Sequence, residues 1–223
     1  MSRTILTSLL LALSLLTACD HRDIRHVVKQ VAEAPTDTTG FASLTIRTNT
    51  FSTVEIDCFA DVTFHQTSDN TAPYVHLQAP PEVMGHVKAR SADDALSIAT
   101  DRRYRMPEDV AVVIHLYAPF VSKFVLNGGK CLRLGRLALA SPLAIELDGV
   151  GAVTADSLTA QEVELQINGD GSADLRGINT HRLVASINGN GSLSLSGTAA
   201  ASSVSHTGNC LIDTAGLRRR AIR

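Results

Sequence analysis

The chain contains no tryptophan, and aromatic residues make up only 4% of its 223 positions. A core without them must be narrow and filled by Leu, Ile, Val and Ala, and a platform of aromatic rings for stacking sugars is not expected. Charge of one sign is also missing. Twenty Lys and Arg stand against 22 Asp and Glu, which removes the electrostatic footprint of a nucleic-acid binder. There is no P-loop, dinucleotide fingerprint, Gly-x-Ser-x-Gly elbow, His-x-x-x-His or Cys-x-x-Cys pair. Cysteine is scarce. With Cys19 set aside, Cys58, Cys131 and Cys210 remain, an odd number that leaves at least one unpaired within the chain. Cys131 and Cys210 stand about four repeats apart, roughly 19 Å at β-strand spacing and beyond disulfide reach. Cys58 can meet Cys131 only if the first strands stack beneath the first repeat. Three small packing residues are the simpler reading.

What is present begins with a targeting segment. Arg3 precedes an apolar run, Leu6 to Leu16, that is too short to span a bilayer comfortably and leads into Leu16-Thr17-Ala18-Cys19. This resembles the bacterial lipobox. The resemblance implies cleavage before Cys19, lipidation of its sulfur and attachment to a membrane of the cell envelope. The polar stretch after it, with Pro35 and Thr36-Asp37-Thr38-Thr39, reads as a tether. The organisation is therefore a signal peptide over 1–18, lipid-attachment cysteine and tether over 19–40, a head over 41–217 and a basic tail over 218–223.

From Phe41 onward the pattern is β. Short alternating runs at Ser43–Thr48, Thr53–Asp57, Asp61–Gln66, Tyr74–Ala79, Ala95–Thr100 and Asp109–Tyr117 are separated by turn-rich clusters. Their irregular spacing predicts hairpins or incomplete rungs. From about Phe120 a repeat takes over. Asp148-Gly149-Val150-Gly151, Asn168-Gly169-Asp170-Gly171 and Asn188-Gly189-Asn190-Gly191 recur every 20 residues, flanked by degenerate copies at Asn127-Gly128-Gly129 and Thr207-Gly208-Asn209-Cys210. Each turn follows an alternating strand. Aligned on the turns, the rungs give columns of like residues: Phe124, Ile145, Leu165, Ala185; Leu126, Leu147, Ile167, Ile187; Leu134, Ala155, Leu175, Leu195; and Leu137, Leu158, Ile178, which Thr198 breaks. Columns on one inward face predict an all-β fold, a right-handed parallel β-helix with rungs of about 20 residues preceded by shorter irregular strands and hairpins. A leucine-rich repeat needs a Leu spacing that fails in every rung, and a propeller needs about twice the period.

Val113-Ile114-His115-Leu116-Tyr117-Ala118-Pro119, a Gly-rich turn and the repeated x-Gly-x-Gly turns together resemble the bacterial head GIN domain family, whose members are labelled auto-transporter adhesins. Phe51-Ser52-Thr53-Val54-Glu55-Ile56 followed by Val62-Thr63-Phe64 is similar to that family's opening strands. The resemblance spans about Phe41 to Leu217. It implies a β-helix on an exported, frequently lipid-anchored protein, with no established reaction or ligand. The chain departs from the family's usual Ser-Gly-Ser-Gly turn by using Asn or Asp, and Cys210 replaces the second glycine of the last copy, so that rung is expected to be distorted.

Oxygen donors at the turns, Asp148, Asp170, Asp174 and Asn190, are of the type that holds calcium. They do not recur at one column, so the reading is structural, as Asn and Asp bond their own turn backbone. No metal and no cofactor is expected. Asn127, Asp148, Asn168 and Asn188 share one rung position and suggest an amide ladder, which the carboxylate of Asp148 is expected to interrupt. His115 and His206 read as single polar residues in strands. No catalytic residues are assigned. The candidate binding face is the outward row of Glu146, Glu164 and Gln166. These alternate with buried neighbours and offer hydrogen-bonding groups to an extended partner, a polysaccharide or another protein. Glu146 and Glu164 are also the carboxylates that the competing reading, a polysaccharide lyase or hydrolase, would use.

Overall fold

The computed structural model describes residues 36–101, 103–107 and 110–220. Cys19, the apolar run before it, the tether up to Pro35 and the last three residues of the basic tail lie outside the described residues. In chain order the elements are β1 (Ala42–Arg47), β2 (Thr53–Asp57), β3 (Ala60–Gln66), β4 (Tyr74–Ala79), a single helical turn α1 (Pro81–Met84), β5 (Val87–Ala92), β6 (Ala95–Thr100) and β7 (Val112–Ala118). The repeat follows as β8 (Lys123–Asn127), β9 (Cys131–Arg133), β10 (Arg136–Ala138), β11 (Leu143–Asp148), β12 (Ala152–Ala155), β13 (Ser157–Asn168), β14 (Ser172–Asn188), β15 (Ser192–Thr207) and β16 (Leu211–Arg219). Arg218 and Arg219 of the basic segment thus belong to the last strand.

These strands stack as a parallel β-solenoid of about five turns, with three walls. Asn168 pairs with Asn188 and Leu165 with Ala185 on the first wall, Ala173 with Leu193 on the second, and Leu158 with Ile178 on the third. The first wall runs β5-β6-β2-β8-β11 and then through the ends of β13, β14 and β15. The second wall runs β1-β4-β7-β3-β9-β12 and on through the starts of β14, β15 and β16. The third begins at β10, whose open edge is covered by one side chain. The Gln66 amide donates to the Ala138 carbonyl at 2.7 Å and accepts from the Ala138 N–H at 2.9 Å, standing in for a missing strand.

The predicted columns point inward. Phe124, Ile145, Leu165 and Ala185 are buried, as are Leu126, Leu147, Ile167 and Ile187. One column is corrected. Ile178 pairs with Gly197 rather than Thr198, because the ladder slips between Leu175 and Ile178. One residue is missing from that rung, so the period falls to 19 and Ile187 faces His206. The last lane of the first wall then carries Ser202, Val204 and His206 where the preceding rung has Leu183, Ala185 and Ile187. A solenoid end meets water, and polar residues are what such a cap requires.

The first half of the chain builds the other end by a different route. β2 and β3 form one rung, β6 and β7 stack on one side of it, and β8 and β9 on the other. β4 and β5 then add antiparallel strands outside β7 and β6, and β1 closes the second wall. β5 was not legible in the sequence, since Val87–Ala92 is short and its outward positions are Lys88 and Arg90. Phe64 of β3 and Phe124 of β8 meet edge to face at 5.5 Å across the seam.

Candidate functional site

Each rung passes from the first wall to the second at the x-Gly-x-Gly corner. Asn168-Gly169 and Asn188-Gly189 occupy equivalent bends, and the Gly169 N–H donates to the Asn188 carbonyl at 2.8 Å. Gly189 has φ of +144°, and a Cβ there would stand 2.1 Å from the Gly169 carbonyl oxygen. A side chain is therefore excluded twice, by backbone conformation and by the rung below. Gly149, Gly169, Gly208 and Gly128 share the positive φ. The second glycine has a different reason. A Cβ on Gly171 would meet Leu147 and Ile167 at 2.6 and 2.9 Å, and Gly151 and Gly191 press on backbone oxygens of the preceding rung.

The side chains before the first glycine form the ladder outside the core. Asn188 donates to Asn168 at 3.0 Å, and Asn168 donates to Asp148 at 2.7 Å. Asp148, the residue expected to interrupt the ladder, is the terminal acceptor of this row, since a carboxylate only accepts. A second row links Asn190 to Asp170 at 3.2 Å. Among the described residues no group of three or more His, Cys, Asp or Glu side chains is placed to hold a metal ion, and Asp174 is instead bound by Arg176 at 2.5 Å.

A trough of about 580 Å³ runs along this corner. Its lining draws on six successive corners between the first and second walls, from Phe59 through Lys130, Val150, Asp170 and Asn190 to Leu211, so it extends about 24 Å at the strand spacing. Val150 is 67% exposed and Leu211 44% exposed, which gives an apolar bed with polar groups at intervals. Sequence reasoning assigned the turns a structural role and missed the trough. The signal was there in Val150, an apolar residue at a turn position that faces water.

The outward row on the first wall is also in view. Glu146 lies beside Gln166, and Glu164 beside Ala144, so the two glutamates are diagonal neighbours. Glu146 is paired with Lys123 at 2.8 Å, Gln166 donates to Asn168 at 3.3 Å, and Glu164 is exposed.

The outer face of the second wall holds a cluster that residue spacing did not reveal. His115 is not a single polar residue: its Nδ1 lies 3.1 Å from His65 Nε2, and its ring lies 6.3 Å from that of His76. Tyr74, Tyr117 and His65 stack in sequence with centroids 4.4 Å apart at each step. Burial pushes the His65 pKa below the ordinary value, and burial followed by the charges of His65 and His76 does the same for His115. His206 stands exposed in β15.

The three cysteines are free thiols. The first strands do stack beneath the first repeat, as a Cys58–Cys131 bridge would need, yet the two remain unlinked. Burial pushes the Cys58 thiol up to about 12 and the Cys131 thiol to about 11, so neither is a thiolate nucleophile near neutrality.

Three solved structures share this fold at low identity. A putative adhesin from Parabacteroides distasonis aligns at TM-score 0.68 and 15% identity, covering 79% of this chain and 74% of that one. A putative adhesin from Bacteroides fragilis aligns at 0.59 and 17%, covering 78% and 96%. A putative lipid binding protein from P. distasonis aligns at 0.67 and 15%, covering 81% and 76%. No curated protein matches the chain significantly. Residues 50–222 match the family model described as putative auto-transporter adhesin, head GIN domain, and the chain belongs to that family.

Proposed function

We propose that this protein is an exported, lipid-anchored component of the cell envelope whose solenoid head binds an extended partner in an adhesive or scaffolding role. The single observation that carries the reading is the corner trough. It crosses six rungs, it is apolar with regularly spaced polar groups, and its long axis is the axis of the solenoid. An extended polysaccharide or peptide would meet equivalent groups at every rung. The outward row of Glu146, Glu164 and Gln166 is the second surface of the proposal. Attachment through Cys19 follows from the lipobox resemblance, and the adhesin names of the family and of two structural relatives agree with a binding role.

The head is read as a binding module rather than an enzyme. A glycosidase needs one carboxyl that stays protonated and a second that acts as base or nucleophile. Glu146 is instead tied to Lys123 at 2.8 Å, which suits a wall that is held in place and soluble.

A glycan array probed with the full chain, followed by affinity measurement on any hit, tests the proposal. Val150→Glu should weaken binding about tenfold or more by placing a charge in the apolar bed. Loss of affinity in Glu146→Ala/Glu164→Ala with none in Val150→Glu would move the partner to the first wall. Hydrolysis or elimination of a bound polysaccharide, abolished by the double substitution, would refute the non-enzymatic reading.

A further inference from the structure

A second concavity lies on the first wall at the end opposite the polar cap. β5 and β6 form an antiparallel hairpin there, placing Lys88 opposite Ala99 and Arg90 opposite Ser97. The chain leaving β6 folds back at Asp101 so that Arg103 joins them. Together with Ser97, Thr100 and Asp101 these residues enclose about 340 Å³. Lys88, Arg90 and Arg103 are all exposed. Asp101 is the one carboxylate among the described lining residues. It accepts the Arg103 N–H at 3.2 Å and pairs with Lys88 at 3.5 Å. Those two partners keep its pKa low, so it stays ionised and holds Lys88 and the turn in place. Three cations against one anion leave a positive pocket with two hydroxyls in its lining. Glu55 and Asp57, one strand further along the wall opposite Ser97 and Ala99, set its boundary and turn anions away from the rest of that face.

The place where the chain enters the head gives this pocket a context. Thr36 donates to Asp61 at 3.1 Å and accepts from Lys130 at 3.1 Å. Asp61 is the second residue of β3 and Lys130 precedes β9, so both sit at the corner between the first and second walls. β6 reaches the same corner one rung from β2 and two from β8, since Ala99 pairs with Asp57. The tether therefore meets the head about 5 to 15 Å along the axis from the strands that form the basic pocket.

We propose that this pocket binds the phosphate headgroup of an anionic phospholipid, seating this end of the solenoid against the membrane into which Cys19 is anchored. The anchored arrangement rests on the lipid attachment proposed above. Guanidinium and ammonium groups make charge-assisted hydrogen bonds to phosphate oxygens. A lipid anchor gains a second, electrostatic contact from basic residues beside it. Entry of the tether at the same corner keeps the pocket at high effective concentration near the headgroups.

The experiment uses the full-length lipidated protein reconstituted in phosphatidylcholine vesicles with and without phosphatidylglycerol, read by amide hydrogen exchange. The expected result is a several-fold slowing of exchange across residues 87–103 that requires phosphatidylglycerol. Lys88→Gln/Arg90→Gln/Arg103→Gln should abolish the slowing while exchange in β14 and β15 is unchanged, which controls for folding. No dependence on phosphatidylglycerol overturns the proposal. Equal slowing by inorganic phosphate at matched concentration in pure phosphatidylcholine also overturns it, by making the pocket a site for free anions. Flotation with phosphatidylcholine vesicles, compared between wild type and Cys19→Ala, reports the anchor separately. Failure to float alongside phosphatidylglycerol-dependent slowing would sink the anchor and leave the pocket assigned.

Discussion

The two ends of this solenoid are made by different rules. From β11 onward each strand stacks on the strand one repeat earlier, so neighbouring rungs of the core have a local precedent about 20 residues back. Up to β7 the pairing is of mixed direction and, outside the β5–β6 hairpin, non-local. β3 contacts β7 and β9, and the antiparallel β4 and β1 close the edge. Both regions present the same inward alternation and bury a continuous core. A repeat is thus one way to satisfy the walls of a solenoid, and hairpins folded back on it are another. The regular region pays in glycine, since identical corners must stack backbone on backbone. The irregular region avoids that constraint and gains edges that carry side chains of choice: basic residues on β5, and histidines and tyrosines on β3, β4 and β7.

Substitutions at the seam and at the corners separate these regimes. Phe124→Ala removes the buried ring that meets Phe64 and should cost about 3–5 kcal/mol, with both halves melting together in urea. Two resolved transitions would show that the halves are independent folding units. Gly189→Val should cost about 3 kcal/mol, from a conformation that β-branched residues avoid and from collision with Gly169. Gly135→Ala, where φ is +52° and a Cβ meets open space, should cost only about 1 kcal/mol. Equal costs would mean that backbone conformation alone matters and rung stacking does not.

Acid should act on the first half before the second. The His65 and His115 pKa values are lowered in the fold, so the unfolded chain binds more protons between those lowered values and about 6.5. The stability of the neutral pair is complete above that upper value and is lost as pH falls through the window. His76 and Arg133 add positive charge around the pair, and Asp61 opposes them. Exchange protection of β3, β4 and β7 should fall with pH ahead of β13 and β14, and His115→Asn should flatten the difference. Equal loss in both halves would remove the histidines as its cause. The smallest effect is expected on the first wall, where Glu164→Ala should shift stability by less than about 0.5 kcal/mol by thermal denaturation.

What the sequence disclosed follows the same division. Asn168, Gly169, Ile187 and their equivalents were legible because period, alternation and turn chemistry are all local, and pairing merely repeats them. The slip at Gly197 was not, because deleting one residue leaves the downstream Gly208 turn looking like an early copy without saying where the residue was lost. The histidine cluster was hidden for a deeper reason. His65, His76 and His115 come from three strands whose adjacency is set by which edge each hairpin finds, and spacing along the chain carries no trace of it. Each stands on an outward position of its strand, which is as far as alternation reaches. The corner trough and the basic pocket likewise depend on which turns lie side by side.

The rung formed by β2 and β3 lies between strands that are all synthesised after it. A chain emerging amino end first, from a ribosome or through a translocon, therefore exposes a template with two bare flanks, and neither can be covered until β6 and β7, then β8 and β9, have appeared. Asp61 waits 70 residues for its neighbour Cys131. Past that point each newly delivered coil finds a finished surface and can add at once. Assembly should be slow until about residue 133 is out and rapid afterwards, so the hazard of strand mispairing falls on nascent chains stalled before β9.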